Sequence, residues 1–253
     1  MTETLSLRAK IEQSPMGAYQ WMIVVMAAIM NLLDGFDVLA LAFTATAIRG
    51  EFGLTGIELG YLLSAGLFGM TAGSLFLAPL ADKIGRRPLL LMAVSLSAIG
   101  MLGSAFISQY QWLGFWRVIT GLGVGGILVG TNVITSEYSS RKWRSFAISV
   151  YAAGFGIGAV LGGIFAVMLQ GEYGWRSVFL AGAILTGLFL VLLFIWLPES
   201  IDFLTTKQPK NAEVRLNLIA KKIGLAGDWK LPAKTEKVKT KLPISQLFSE
   251  KYL

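Results

Sequence analysis

The sequence predicts an all-α, polytopic membrane protein, and its composition and long apolar runs carry that prediction. Hydrophobic residues make up 55% of the 253 residues and charged residues only 15%, whereas a soluble domain carries about 25% charged residues. Six apolar runs each reach the roughly 20 residues that an α-helix needs to cross about 30 Å of hydrocarbon. We therefore predict a six-helix transmembrane bundle with short polar connections.

The predicted elements are a polar leader at residues 1–20, the bundle at 21–197 and a basic tail at 198–253. The six spans are predicted at residues 21–48, 57–81, 89–107, 112–136, 145–169 and 176–197. The first run is longer than a signal-peptide core, contains two acidic residues and precedes no small-residue cleavage site, so we expect it to remain as a helix. In the tail, residues 211–224 have the apolar spacing of an amphipathic helix on an anionic membrane surface, with a solvated linker as the alternative.

Basic residues lie mostly at one end of the predicted bundle. That end carries the leader, the tail and two turns, whose basic residues are Lys83, Arg86, Arg87, Arg141, Lys142 and Arg144. The opposite end carries only Arg49 and Arg176. The positive-inside rule therefore predicts that both termini are cytoplasmic. It also accounts for the net charge of +7 without a nucleic-acid partner.

The chain contains no cysteine and no histidine, which narrows the chemistry open to it. Without thiolates, a disulfide framework and a thiolate metal site are excluded, and without imidazoles any proton transfer falls to carboxylates. We predict no catalytic residues, no metal and no cofactor.

Two carboxylates, Asp34 and Asp37, are the only charged residues of the apolar run at 17–48. At the centre of a membrane helix each charge costs roughly 2.5–3.5 kcal/mol, so a partner charge or an aqueous pathway is expected. Their i, i+3 spacing places both on one helix face. We therefore expect the two side chains to face a single cavity.

Arg117 is the one charge within the fourth predicted span, and it supplies the opposite sign. A rise of 1.5 Å per residue places its side chain at about the depth of Asp37. Three intramembrane charges of mixed sign predict a network in which a surplus carboxylate can hold a proton, because ionisable residues in membrane spans usually serve function. A static ion pair that holds the helices together is the alternative.

Glycines repeat at four-residue spacing in the fifth predicted span, at Gly154, Gly158 and Gly162. Such a ridge lets neighbouring helices approach closely. We expect a packing surface there, on which helices can rock against one another.

The two basic turns each combine acidic and basic residues, which predicts a breakable network between the helix ends. The alternative is that the basic residues only reflect the excess of Lys and Arg that cytoplasmic loops carry under the positive-inside rule. The candidate gating residues are Asp82, Gly85, Arg86, Arg87, Glu137 and Arg144.

Four stretches resemble motifs of the major facilitator superfamily. Residues 78–87 (APLADKIGRR) resemble its loop between helices 2 and 3, residues 117–125 its helix 4 motif and residues 197–200 (LPES) its helix 6 ending. The tetrapeptide at 34–37 (DGFD) resembles the D-G-x-D of the aromatic acid:proton symporter branch.

The resemblance implies the N-terminal half of a twelve-helix fold, with substrate held between two related halves near the midplane. It implies proton symport of aromatic carboxylates, of the benzoate or hydroxybenzoate class, across a bacterial inner membrane. The helix 1 aspartates that the branch needs for transport correspond to Asp34 and Asp37, and its helix 4 arginine to Arg117. Ala78 replaces the first glycine of the loop motif, which predicts slightly looser packing there. Ala159 stands where antiporters have a proline, which disfavours antiport.

Three other functions fit parts of this pattern. A chain of six spans suits a non-transporting membrane subunit or regulator, and the superfamily motifs suit a carrier of another small organic anion. An intramembrane aspartyl protease needs acids on facing helices, whereas Asp34 and Asp37 share one helix. The partners expected for a symporter are a small organic acid, protons, the lipid bilayer and a missing C-terminal six-helix half.

Overall fold

The structure of the chain is a computed structural model that describes residues 6–225 and 227–232. Within those ranges the fold is all-helical. The helices are α1 (Leu7–Gln13), α2 (Ala18–Phe52), α3 (Gly56–Ile84), α4 (Arg86–Ala105), α5 (Tyr110–Tyr138), α6 (Arg144–Tyr173), α7 (Trp175–Trp196), α8 (Ile201–Lys207) and α9 (Ala212–Ile223). The predicted tail continues past residue 232, outside the described residues.

The six predicted membrane spans are confirmed as the helices α2 to α7, each long and apolar enough to cross a membrane. The helices extend a few residues beyond the predicted spans at several ends. At these ends the helical backbone hydrogen bonds continue from the apolar span, where the bilayer requires them, into the adjoining polar residues. The chain is therefore a multi-pass membrane protein.

The connection between α2 and α3 shows how local sequence sets the ends of these helices. Gly53 ends α2 with a φ of 63°, in the left-handed region that glycine enters without steric cost. Two residues later, the Thr55 hydroxyl accepts a hydrogen bond from the backbone N–H of Glu58, and the Glu58 carboxylate accepts one from the Thr55 N–H at 2.8 Å. This reciprocal capping starts the next helix immediately.

The bundle is built from closely packed helix pairs. The helix α2 packs mainly against α6 and α3 mainly against α5, while α4 packs against both α5 and α7. This arrangement surrounds α5 with helices on several sides. It places Arg117, the one charge of the predicted span at 112–136, inside the bundle, where the residue is 3% exposed.

The glycine ridge of α6 forms the packing surface that the sequence predicted. A Cβ on Gly154 or Gly158 would collide with backbone carbonyl oxygens of α2, those of Ala28 and Leu32. A Cβ on Gly162 would overlap the Phe36 side chain, 2.5 Å from its ring. Only hydrogen fits at these positions, so α2 and α6 approach at backbone distance.

Three short helices cover one end of the bundle, which we call the basic end. Leu7 of α1, Leu204 of α8 and Leu216 of α9 join the same buried apolar cluster as the ends of the spans. Of the apolar positions that predicted an amphipathic helix at 211–224, Ile219 packs into this cluster, whereas Leu218 is 56% exposed. The tail helix therefore packs on the bundle and leaves a second apolar strip uncovered.

Ion pairs attach α1 to this end. Arg8 pairs with Asp202 of α8, and Glu12 accepts a hydrogen bond of 2.7 Å from Arg144 at the start of α6. The hydrogen bond from Arg144 lowers the pKa of the Glu12 carboxyl, and the bond to Asp202 raises the pKa of Arg8. The leader is thus tied to both the tail and the second basic turn.

Candidate functional site

The centre of the bundle contains a buried ion pair between α2 and α5. The Nη1 of Arg117 lies 3.2 Å from Oδ1 of Asp37, and the two side chains are 4% and 2% exposed. The other carboxylate oxygen of Asp37 accepts a hydrogen bond of 2.5 Å from the Ser97 hydroxyl of α4. The opposite charge and the hydrogen bond together offset the desolvation cost of burying this carboxylate.

The guanidinium of Arg117 has polar partners on nearly every side. Its Nε and Nη2 both donate to the Ser104 hydroxyl of α4, and Nη2 also donates to Thr120 at 3.0 Å. The ring of Phe179 on α7 lies 4.8 Å below the guanidinium carbon, within the range of a cation–π contact. The pair therefore connects four of the six spans.

A small cavity adjoins the ion pair. It has a volume of about 40 Å³ and is lined by Asp37 and Arg117 together with residues of α3 and α5 such as Gly66 and Thr120. A water molecule needs roughly 10–15 Å³ of such space and polar partners, both of which this cavity offers. Ligand pockets measure about 300–1,000 Å³, so the cavity has room for water but not for an aromatic acid.

Asp34 takes no part in the ion pair and does not line this cavity. It is 2% exposed, and its Oδ2 has no hydrogen-bond partner among the described residues. Three residues on a helix are related by a rotation of about 60° and a rise of about 4.5 Å. The side of α2 that carries Gly35 packs directly on the Phe155 backbone of α6. The expectation that both aspartates face a single cavity is therefore not met.

A second unpaired buried oxygen lies one helical turn from Asp34. The amide nitrogen of Asn31 donates to the backbone carbonyl of Tyr151 at 2.9 Å, while its Oδ1 has no hydrogen-bond partner within the described ranges. In the described part of the chain, no group of three acidic, histidine or cysteine residues is placed to hold a metal ion. The helix α2 therefore carries two buried oxygen atoms, three residues apart in sequence, that accept no hydrogen bond from a described residue.

At the basic end, the first turn is organised by a residue that the sequence analysis did not single out. The Glu199 carboxylate accepts hydrogen bonds from the backbone N–H groups of Arg86 and Arg87, at 2.8 and 3.0 Å. It thereby caps the N-terminus of α4. Gly85 is required there, because its φ is 105° and a Cβ would lie 2.5 Å from the carboxylate.

The basic residues of this turn have separate partners. Arg86 pairs with Asp82 at 2.7 Å within the turn. Arg87 donates to the backbone carbonyls of Leu197 and Phe194, at 2.8 and 2.6 Å. The first turn is thus attached to the end of α7.

The second turn is attached to the start of the tail. Glu137 accepts hydrogen bonds from the Ser200 hydroxyl and the Ile201 N–H, at 2.9 and 2.8 Å. Tyr138 donates to the carbonyl of Glu199 at 2.7 Å. Among the described residues the two turns make no ion pair with each other, and residues 197–201 bridge them. The one sequence signal for this bridge is the LPES stretch at 197–200.

The fold and this site define a six-span membrane bundle with an internal charge pair. The sequence profile described as Major Facilitator Superfamily matches residues 27–253, and the chain belongs to that superfamily.

Curated relatives carry transporter names. The chain is 34% identical to the gallate transporter of Pseudomonas putida over 242 residues, which is 96% of the chain and 54% of the relative. It is 33% identical to the 4-hydroxybenzoate transporter PcaK of the same organism over 216 residues, covering 85% and 48%. The chain thus spans about half the length of these relatives.

A solved structure supports the fold. The xylose transporter XylE from Escherichia coli, in a partially occluded inward-open conformation, superposes with a TM-score of 0.69 at 23% identity. The match covers 80% of this chain and 55% of XylE. At this identity the likeness concerns the fold alone, and it confirms the predicted six-helix bundle of a major facilitator fold.

Proposed function

We propose that this chain forms the N-terminal half of a twelve-helix, proton-coupled symporter of aromatic carboxylates in a bacterial inner membrane. Both termini of the chain would lie in the cytoplasm. The single observation that carries the coupling part of the proposal is the contrast between two buried acids on α2. The charge of Asp37 is compensated by Arg117, whereas one carboxylate oxygen of Asp34 has no hydrogen-bond partner in the part of the chain that the structure describes.

Two facts support a missing second half. The chain spans about half the length of its transporter relatives, and the internal cavity of about 40 Å³ is too small for an aromatic acid. In major facilitator carriers the substrate site lies between the two halves. A second six-helix bundle would supply the other wall of that site.

The substrate class is proposed from the relatives. Gallate and 4-hydroxybenzoate are the cargoes named for the relatives at 33–34% identity. Relatives at 29% and 27% identity are named for cis,cis-muconate and niacin. These four names favour a small carboxylate as the shared chemistry. A carrier of another small organic anion is therefore the second candidate function.

The proposed roles of the site residues follow from their environments. Asp34 accepts the coupling proton, because a buried carboxylate without a partner is the cheapest group to neutralise. Arg117 balances Asp37 in the resting bundle and offers the positive charge that a carboxylate substrate requires. Movement of α2 or α5 then changes which carboxylate pairs with Arg117, and this change couples substrate binding to proton binding.

The basic end is the proposed gate. Asp82, Gly85, Arg86 and Arg87 would hold the first turn against the end of α7. Glu137 and Arg144 would hold the second turn against α8 and α1. Each contact joins a span to a surface segment. When the two halves rock against each other, these contacts therefore either break or move together with the bundle.

The experiment is uptake of radiolabelled 4-hydroxybenzoate into proteoliposomes with the full transporter and an inward proton gradient. Asp34→Asn is expected to abolish gradient-driven uptake, and so is Asp37→Asn in whatever fraction folds. Asp228→Asn, an exposed acid in the tail, is the matched control and should leave uptake unchanged. Accumulation by Asp34→Asn at the wild-type level would refute the coupling role. Failure of wild-type protein to take up any of the four named carboxylates would refute the substrate class.

A further inference from the structure

A groove at the basic end combines positive charge with exposed apolar side chains. It lies between the end of α7, the first turn of α2 and the outer side of α9, and its volume is about 270 Å³. Three cations line it, Arg87, Arg215 and Lys222. None of the three forms an ion pair with a described residue.

The contacts that these cations do make leave their charges uncompensated. Arg87 donates from Nε and Nη2 to backbone carbonyls, and no described hydrogen bond uses its Nη1. The Nζ of Lys222 lies 5.3 Å from the centroid of the Tyr19 ring, a contact that orients an ammonium group without neutralising it. Arg215 is exposed on α9. The groove therefore presents three positive charges to one space.

One carboxylate, that of Glu199, also lines the groove, and it is already engaged. Its Oε1 accepts from the backbone N–H groups of Arg86, Arg87 and Ser200, at 2.8, 3.0 and 2.9 Å. The positive end of the α4 dipole faces this oxygen. The groove as a whole therefore favours an anion.

The apolar part of the groove continues onto the membrane surface of the bundle. Ile195, Trp196 and Leu218 line it and are 61%, 48% and 56% exposed. Next to them, the outward side of α7 exposes further large apolar residues, among them Leu188, Val191 and Phe194. An exposed tryptophan at the end of a span is typical of the membrane–water interface. The occupant that matches is an amphiphile with an anionic head and an apolar chain.

We propose that this groove binds the headgroup of an anionic glycerophospholipid, such as phosphatidylglycerol. The phosphate lies among Arg87, Arg215 and Lys222, where charge-assisted hydrogen bonds to a phosphate are strongest. The acyl chains follow the exposed side of α7. A lipid bound in this way ties α9 to the end of α7 and fixes the tail helix at the membrane surface.

Native mass spectrometry of the full chain in a mild detergent tests this proposal. Phosphatidylglycerol and phosphatidylcholine are titrated against the wild type and against Arg215→Gln/Lys222→Gln. Lys207→Gln/Lys210→Gln is the matched control, because it removes two exposed charges from the same end but outside the groove. Each basic residue near an anionic lipid surface contributes to the binding free energy. The groove variant, which lacks two of them, should therefore bind phosphatidylglycerol about tenfold or more weakly.

The control variant should bind phosphatidylglycerol as the wild type does, and phosphatidylcholine should bind much more weakly to all three proteins. A groove variant that retains wild-type affinity would overturn the proposal, and so would equal binding of the two lipids. Displacement of the lipid by millimolar inorganic phosphate would show a simple anion site instead. Thermal unfolding of both variants, monitored by tryptophan fluorescence, should match the wild type because all four substituted side chains are exposed.

Discussion

Replacing Asp37 by asparagine removes the charge that faces Arg117 while keeping the shape of the side chain. The partners are 2% and 4% exposed, so solvent does not screen the loss. Breaking a buried pair from one side costs about 3–5 kcal/mol, because the remaining charge stays buried and uncompensated. The guanidinium of Arg117 cannot reduce this cost by losing a proton, because arginine stays charged in proteins.

Asp34→Asn is the matched comparison, since it makes the same chemical change three residues away on α2. Asp34 forms no ion pair with any described residue, and its buried Oδ2 has no hydrogen-bond partner among them to lose. Its expected cost is below about 1 kcal/mol, and replacement of an unpaired buried acid can stabilise the fold. The structure thus predicts a large difference between two neighbouring substitutions.

Thermal unfolding in detergent, followed by tryptophan fluorescence, measures this difference. For a chain of this size the loss at Asp37 corresponds to a midpoint lowered by about 10 °C. The double variant Asp37→Asn/Arg117→Gln should unfold closer to the wild type than the sum of the two single changes requires, because the orphaned charge is gone. Equal midpoints for Asp34→Asn and Asp37→Asn would refute the assignment of the ion pair.

Two further predictions concern packing and pH. Gly158→Ala places a methyl group on the Leu32 carbonyl oxygen and should cost about 1–3 kcal/mol, whereas Gly156→Ala, whose Cβ meets nothing, should be neutral in the same melts. The pKa of Glu12 is lowered by Arg144, so its ion pair stabilises α1 above the ordinary carboxyl range and is lost as the pH falls below about 4. The protection factor of α1, which is the intrinsic amide exchange rate at a given pH divided by the measured rate, should fall on acidification more in the wild type than in Glu12→Gln, which keeps only the Arg8–Asp202 pair; an equal fall in both proteins would contradict the contact.

The sequence predicts the spans well because a bilayer allows few alternatives. A backbone in hydrocarbon must satisfy its own hydrogen bonds, so runs of about 20 apolar residues become helices. The ridge at Gly154, Gly158 and Gly162 was predictable for a similar reason, since repeated small residues at helical spacing serve close packing.

The division between the two aspartates was not predictable from spacing alone. An i, i+3 pair is compatible with one shared cavity or with two separate environments. The rotation of α2 decides between them, and contacts with α6 such as that between Gly35 and Phe155 set this rotation. The pairing of Arg117 with Asp37 was within reach because depth along the membrane is fixed by the helix rise.

The partners of the basic turns also depend on tertiary structure. Glu199 caps α4 from more than 100 residues away in the chain, and apart from the LPES stretch at 197–200 no local sequence pattern points to such a contact. The two turns carry complementary charges, so direct pairing between them was a reasonable expectation. The structure instead joins each turn to the segment that follows α7 or to α1.

Proton movement accompanying substrate is the most direct test of the proposed coupling. The full transporter is reconstituted with a pH-sensitive dye inside the vesicles, and 4-hydroxybenzoate is added outside without an imposed gradient. Wild type is expected to acidify the lumen as substrate enters. Asp34→Asn is expected to exchange labelled for unlabelled substrate without any acidification. Acidification by Asp34→Asn at the wild-type rate would contradict the account.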